Sequence, residues 1–184
     1  WRPRAAAGAA CPRSLVPGRP CAAAGTASIG DGIWADAAAL LTPAARARLG
    51  KNAKPSTGIV DAQSVVSGPQ KGTRGVDGNK KIRGIKRHVL TCSFGFVLAV
   101  LVSAANLHDT HGLAPLLARA AEAGWNLERI KVDGIYTGPT VRAAAERHGV
   151  DVQVSLRDPA AGSFVPLPVR WRIEATFGTL TNRY

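Results

Sequence analysis

The stretch Arg129-Ile-Lys-Val-Asp-Gly-Ile-Tyr-Thr-Gly138 constrains the fold more than any other part of the chain. Ile130 to Val132 reads as a strand, Asp133 follows it into a turn punctuated by glycines, and a helical pattern begins at about Pro139. In an open α/β sheet the carboxyl ends of strands are where ligands and catalytic groups collect, because the strand fixes a position that the following loop is free to exploit. The plainer alternative is that Asp133 only starts the turn or caps the next helix, a common role for Asp before Gly.

Two more acids pose the same question. Thr57-Gly-Ile-Val-Asp61-Ala-Gln-Ser sends β-branched Ile59 and Val60 into Asp61, which predicts a short strand ending in a carboxylate, with Gln63 and Ser64 satisfying backbone groups just past it. Val169-Arg-Trp-Arg-Ile-Glu-Ala-Thr-Phe-Gly-Thr-Leu180 predicts a helix whose apolar stripe is Ile173, Phe177 and Leu180, with Glu174 on its flank. Taken alone, Asp61 is equally a turn residue. Glu174 has its own plain role, an exposed pair with Arg170 worth about 0.2–0.5 kcal/mol.

The rest of the chain supplies the frame. Asp36 to Leu49 favours helix, with Pro43 expected to split it into two short pieces, and Lys51 to Pro55 is a basic linker. His88 to Gly95 and Phe96 to Ala104 are apolar runs that predict an antiparallel hairpin, its second strand buried on both faces. Asp109 or Thr110 is placed to cap a helix with Leu113, Leu116, Leu117 and Ala120 on its buried face. His108 and His111, three apart without a third nitrogen or sulfur ligand nearby, read as loop histidines rather than a metal pair. Thr140 to His148 is a helix stopped at Gly149, Asp151 to Leu156 a half-exposed strand, and Arg157 to Pro168 an irregular loop.

Charge narrows the partner. Lys+Arg 24 against Asp+Glu 12 gives +12, which favours a polyanion, most often nucleic acid. From Lys71 to His88 there are seven basic residues (Lys71, Arg74, Lys80, Lys81, Arg83, Lys86 and Arg87) against one acid, Asp77. This run is either a solvated face or a hairpin or loop that grips phosphates without reading bases. Few aromatics interleave it, so duplex backbone is favoured over stacked single strands. No apolar run approaches the ~18 residues of a membrane span, and no amphipathic basic helix suits a membrane surface, so no membrane partner is expected. The cysteines, Cys11, Cys21 and Cys92, fit neither a disulfide framework nor a zinc site and suit a reducing cytoplasm.

With 184 residues, one sizeable core is expected. Residues 1–30, rich in Ala, Gly, Pro and Arg without periodicity, are expected to be disordered or non-native, as from a wrong reading frame. Residues 31–56 form a short helical and linker segment, and 57–184 the folded domain. The chain starts at Trp1, has no Met and stops inside a helical pattern, so it is read as a truncated piece.

Five stretches, in order, resemble the catalytic domain of bacterial insertion-sequence DDE transposases: Val-Asp61-Ala-Gln-Ser-Val, Lys80-Lys-Ile-Arg-Gly-Ile-Lys-Arg-His-Val-Leu, Ala104-Ala-Asn-Leu-His-Asp109, Val-Asp133-Gly-Ile-Tyr-Thr-Gly and Arg170-Trp-Arg-Ile-Glu174-Ala-Thr-Phe. The resemblance implies a ribonuclease-H-like α/β fold, a mixed sheet flanked by helices, in which three antiparallel strands and a helix precede the strand bearing the second acid. It implies Asp61, Asp133 and Glu174 as catalytic and metal-holding acids. It also implies Mg²⁺ or Mn²⁺ as cofactor, in pairs ~3.5–4 Å apart for phosphodiester chemistry. Double-stranded DNA, as element ends and target, is the implied partner, with a homodimer left open and a nucleoid-associated cytoplasmic location. The 41 positions from Asp133 to Glu174 leave no room for the large β insertion of some relatives, and Ile135 stands where relatives often have a second glycine, a bulk expected to crowd the turn. Two other readings stay open: a catalytically inactive remnant that only binds DNA, and a ribonuclease-H-like nuclease unrelated to mobile elements.

Overall fold

The computed structural model describes residues 33–67, 73–155 and 170–182. The segment 1–30, Lys71 and the loop expected over 157–168 lie outside them. The described chain runs α1 (Ile33–Arg48), β1 (Thr57–Val66), β2 (Gly75–Asp77), β3 (Ile82–Cys92), β4 (Val97–Ala104), α2 (Leu113–Glu122), β5 (Arg129–Asp133), α3 (Pro139–His148), β6 (Asp151–Ser155) and α4 (Arg170–Asn182).

β1 and β3 pair antiparallel from Gly58 opposite Cys92 to Val66 opposite Gly84, and β4 pairs antiparallel on the other side of β3. β5 is parallel to β1 and β6 parallel to β5, so helices must make the connections, since a parallel return is too far for a tight turn. The main path β4-β3-β1-β5-β6 is the ribonuclease-H-like order, a mixed sheet flanked by helices, as the resemblance implied. β2 adds a short hairpin arm to the start of β3.

Strand alternation sorts the core onto two faces. Val60, Leu90, Ile130 and Val132 meet Leu113, Leu116 and Val141 from α2 and α3 on one face. Their sequence neighbours Ile59 and Val89 meet Ile173 and Phe177 of α4 on the other. The expected α2 and α4 stripes are both present, with Leu180 packed at the margin of the second cluster.

Four local expectations are corrected. Pro43 sits inside one continuous helix. The lost backbone bond, about 3 kcal/mol, is offset by packing, since Arg46 is buried, donates to the Asn52 carbonyl at 2.8 Å and lies over the Phe94 ring. β1 continues five residues past Asp61 because β3 pairs with it as far as Val66. β4 is only half-buried: it borders β3 alone among the described strands, and Val102 is left 54% exposed. Neither Asp109 nor Thr110 caps α2, which is preceded by a 3-10 turn, Asp109–Gly112, capped by the His108 side chain.

The β2–β3 turn rests on one buried carboxylate. Asp77 Oδ1 accepts from the Asn79 and Lys80 amides at 3.0 and 3.1 Å, and Oδ2 accepts from Ser64 Oγ at 2.5 Å. Ser64 thus binds this turn rather than backbone past β1. The Ser64 hydroxyl foremost, then the Lys80 amide, hold the Asp77 carboxyl at about 2 instead of 3.8. A folded value below the unfolded one means that this stabilisation is complete above about pH 4 and is lost as pH falls through about 2. Asp77→Asn is expected to flatten this acid limb, read as the urea midpoint followed from about pH 6 down to pH 2; an unchanged limb would contradict the assignment. Ile173→Ala, which opens a cavity beneath α4, is expected to lower unfolding free energy by about 2–5 kcal/mol in the same assay at neutral pH.

Candidate active site

The site is made by two strands that part. β1 and β5 are paired from Thr57–Arg129 to Ile59–Lys131 and no further, while β5 stays with β6 as far as Asp133–Ser155. Asp61 and Asp133 each lie two residues beyond the last β1–β5 pair, so both continue on the face of Ile59 and Lys131. A crevice of about 20 Å³ marks the parting, lined by Ile59, Asp61, Lys131, Asp133, Ser155 and Ile173. Next to it a larger cavity of about 650 Å³ is walled by Asp61, Asp133 and Glu174 together with Asp109, Lys86 and Lys80.

Glu174 reaches this cavity because its neighbour Ile173 is fully buried on the Ile59 and Val89 face, which is the face that carries Asp61. Three acids distant in sequence therefore share one cavity and come from three elements, β1, β5 and α4. Asp61 Oδ1 accepts from the Ala62 amide at 2.7 Å, and Asp133 Oδ1 from the Ile135 amide at 3.1 Å. Asp133 is thus a turn-forming aspartate as well as a cavity residue. It does not cap α3, which begins after Gly138 with Pro139 in its first turn. Ile135 does not crowd this turn: its side chain is half exposed at the cavity wall, and its backbone is outside the left-handed region, where Lys81 is the one non-glycine among the described residues.

Tyr136, in the core on the α2 and α3 side of the sheet, is buried to 1% exposure. Burial first, then the carboxylates of Asp109, Asp61 and Asp133, push its phenol well above the ordinary range, so it stays protonated. Asp109 is the site residue that sequence reasoning passed over as a helix cap. Lys86 Nζ lies 2.6 Å from Asp109 Oδ1, donates to the Leu107 carbonyl at 2.7 Å and stands 3.8 Å from Asp77 Oδ2. The signal was available in alternation, since Lys86 falls on the inward positions of β3 with His88 and Leu90. His88 is wedged against Gly112, where a Cβ would strike its ring, and its Nε2 meets Ser103 Oγ at 3.0 Å; burial lowers its pKa.

The basic run is divided by this geometry. Arg74, Lys80, Lys81 and Arg83 are exposed around the β2–β3 turn, whereas Lys86 is buried and ion-paired. Arg87 is half-buried and donates to Gln63 Oε1 at 2.6 Å and Thr181 Oγ1 at 3.1 Å, so Gln63 also has a side-chain partner rather than a backbone one. His108 accepts within its own 3-10 turn, and His111 is exposed. Among the described residues, no three His, Cys, Asp or Glu side chains close into a preformed metal cage. The acids around the cavity nevertheless offer only hard oxygen donors, spread around an open space. Carboxylate oxygens suit Mg²⁺ or Mn²⁺, which keep waters and bind through a few carboxylates with substrate phosphates; His108 lines the same cavity. No described helix is long and apolar enough to cross a membrane.

The chain is similar to the catalytic core domain of BIV integrase, with 8% identity, a TM-score of 0.43 and coverage of 70% of this chain and 68% of that one. It is also similar to the Mos1 transposase in a paired-end complex with the left transposon end, with 14% identity, a TM-score of 0.36 and coverage of 64% of this chain; the match spans 40% of the Mos1 chain. At these scores the likeness is loose. No curated protein matches the sequence. The family profile described as the transposase DDE domain matches residues 52–162, a span that holds Asp61, Asp109 and Asp133 and ends before Glu174. That span is more than half of the 184 residues, and the chain belongs to the transposase DDE domain family.

Proposed function

We propose that the chain is the catalytic domain of an insertion-sequence transposase that cleaves and joins DNA strands with the help of divalent cations, using Asp61, Asp133 and Glu174. The observation that carries this reading is that these three acids, on β1, β5 and α4, wall one cavity in a chain of this family. Magnesium or manganese held there would supply charge neutralisation at a phosphodiester and activation of the attacking hydroxyl. The protein's own part is positional. Asp61 is fixed by the β1–β3 ladder, Asp133 by its bond to the Ile135 amide, and Glu174 by the burial of Ile173 next to it.

DNA is the partner that this surface suits. Of the exposed cations around the β2–β3 turn, Lys80 lines the cavity, beside Asn79. A duplex held by its phosphates at this turn would present its backbone to the carboxylates. Such a grip is electrostatic and indifferent to sequence, so recognition of specific element ends belongs to other surfaces.

Two experiments test the reading. In a nicking assay on duplex DNA with Mg²⁺ or Mn²⁺, Asp133→Asn and Glu174→Gln are each expected to lower activity by at least about 100-fold while leaving DNA binding intact. Binding without nicking by the wild-type chain would instead favour the inactive remnant, and nicking without any need for terminal repeats would favour a nuclease unrelated to mobile elements. Replacing Lys80, Lys81 and Arg83 by Ala is expected to weaken duplex binding equally for all sequences and to reduce the slope of log affinity against log salt by about 0.9 per lost phosphate contact, measured by fluorescence anisotropy. An unchanged slope would remove the hairpin from the interface.

A further inference from the structure

The cavity has a wall that the three acids do not account for. Glu174 approaches from the α4 face of the sheet, while Asp109 approaches from the opposite side, in the 3-10 turn that leads into α2. Asp61 and Asp133 follow the last β1–β5 pair, on the face of Ile59 and Lys131, and line the same cavity. We propose that Asp109 is a fourth carboxylate of the cation-holding wall, turned to the cavity through Oδ2, and that Lys86 is the positioning residue that fixes its Oδ1. This inference rests on the reading of the cavity as a cation site.

Three observations carry it. First, the two oxygens of Asp109 are in different surroundings. Oδ1 is enclosed and lies against Lys86 Nζ at 2.6 Å, an ionic contact rather than a directed hydrogen bond, yet the side chain keeps 17% exposure and lines the cavity. Oδ2 is therefore the oxygen able to meet a ligand. A carboxylate held by an outer partner on one oxygen and open on the other is how cation ligands are commonly oriented.

Second, the pair is a poor device for stability alone. A buried ion pair roughly offsets its own desolvation, and apolar residues of similar size often serve as well. Asp77 does not need Lys86 at 3.8 Å either, since Ser64, Asn79 and Lys80 already hold its oxygens.

Third, the Tyr136 hydroxyl is enclosed with no hydrogen-bond partner among the described residues, and the carboxylates of Asp109, Asp61 and Asp133 all act on it. A buried hydroxyl is costly without a partner. Water carried by a hydrated cation at these three carboxylates would supply one.

The test uses the full chain without DNA and Mn²⁺ alone as probe, with free Mn²⁺ read by electron paramagnetic resonance. Asp109→Asn is expected to raise the Mn²⁺ Kd by about 10–100-fold, alongside a comparable or larger loss in Asp133→Asn. Because Asp109→Asn strands the Lys86 charge, the double variant Lys86→Met with Asp109→Asn is measured too. It is expected to show the same loss of affinity, together with a smaller Mn²⁺-induced rise in Tm than wild type. If Asp133→Asn loses the ion while the double variant binds it as tightly as wild type, Asp109 is structural only; the inference is overturned and the cation site stands. If wild type itself takes up no Mn²⁺, both the site and the inference fall.

Discussion

Everything at this site follows from the point where two parallel strands stop pairing. While β1 and β5 share hydrogen bonds, their side chains are held in the pleat and packed against α4 or α2. Past Ile59 and Lys131 the gap between them widens, and polar side chains have a space to enter. A carboxylate placed one pair earlier would be buried in the sheet and would need a partner there. At Asp61 and Asp133 each acid keeps a backbone amide as donor and still borders the cavity.

The two sides of the sheet then contribute by different physics. On the α4 side the contact is apolar, with Ile173 and Phe177 set against Ile59 and Val89, and Glu174 is carried to the cavity by its neighbour's burial. On the α2 side the contact is ionic, with Lys86 tying β3 to the Asp109 turn and, more distantly, to the Asp77 carboxylate that shapes the basic hairpin. The hairpin and the acid wall are therefore neighbours through one lysine.

Much of this was legible in the residues. Runs of β-branched and apolar side chains bounded by glycines marked the strands, and spacings of three and four marked α2 and α4. The motif order around Asp61, Asp133 and Glu174 implied an arrangement whose strand order the structure has. What was not legible depends on partners distant in sequence. No local pattern says that β1 continues past Asp61, because β3 is what extends it. Pro43 argues locally for a break, yet the helix runs through it, held by packing that includes Ala39 on the core and Arg46 on Asn52 and Phe94. Lys86 and Arg87 look alike in a list of cations, yet strand alternation sends one inward to Asp109 and the other to Gln63 and Thr181.

The acid set is completed by an apolar contact of modest size. Burial of Ile173 and Phe177 contributes about 1.5–3 kcal/mol each. Polar ties add to it. Thr176 Oγ1 shares its proton between the Arg172 carbonyl at 3.0 Å and the Gly95 carbonyl at 3.2 Å, Arg172 lies 5.3 Å from the centre of the Phe94 ring, and Arg87 reaches Thr181. Two of these three ties end on the β3–β4 turn, and Arg46 of α1 stacks on the same Phe94 ring. Arg172 and Thr176, which make these contacts, each stand two residues from Glu174, so a change at Phe94 or Gly95 reaches the acid wall through α4 without altering an acid.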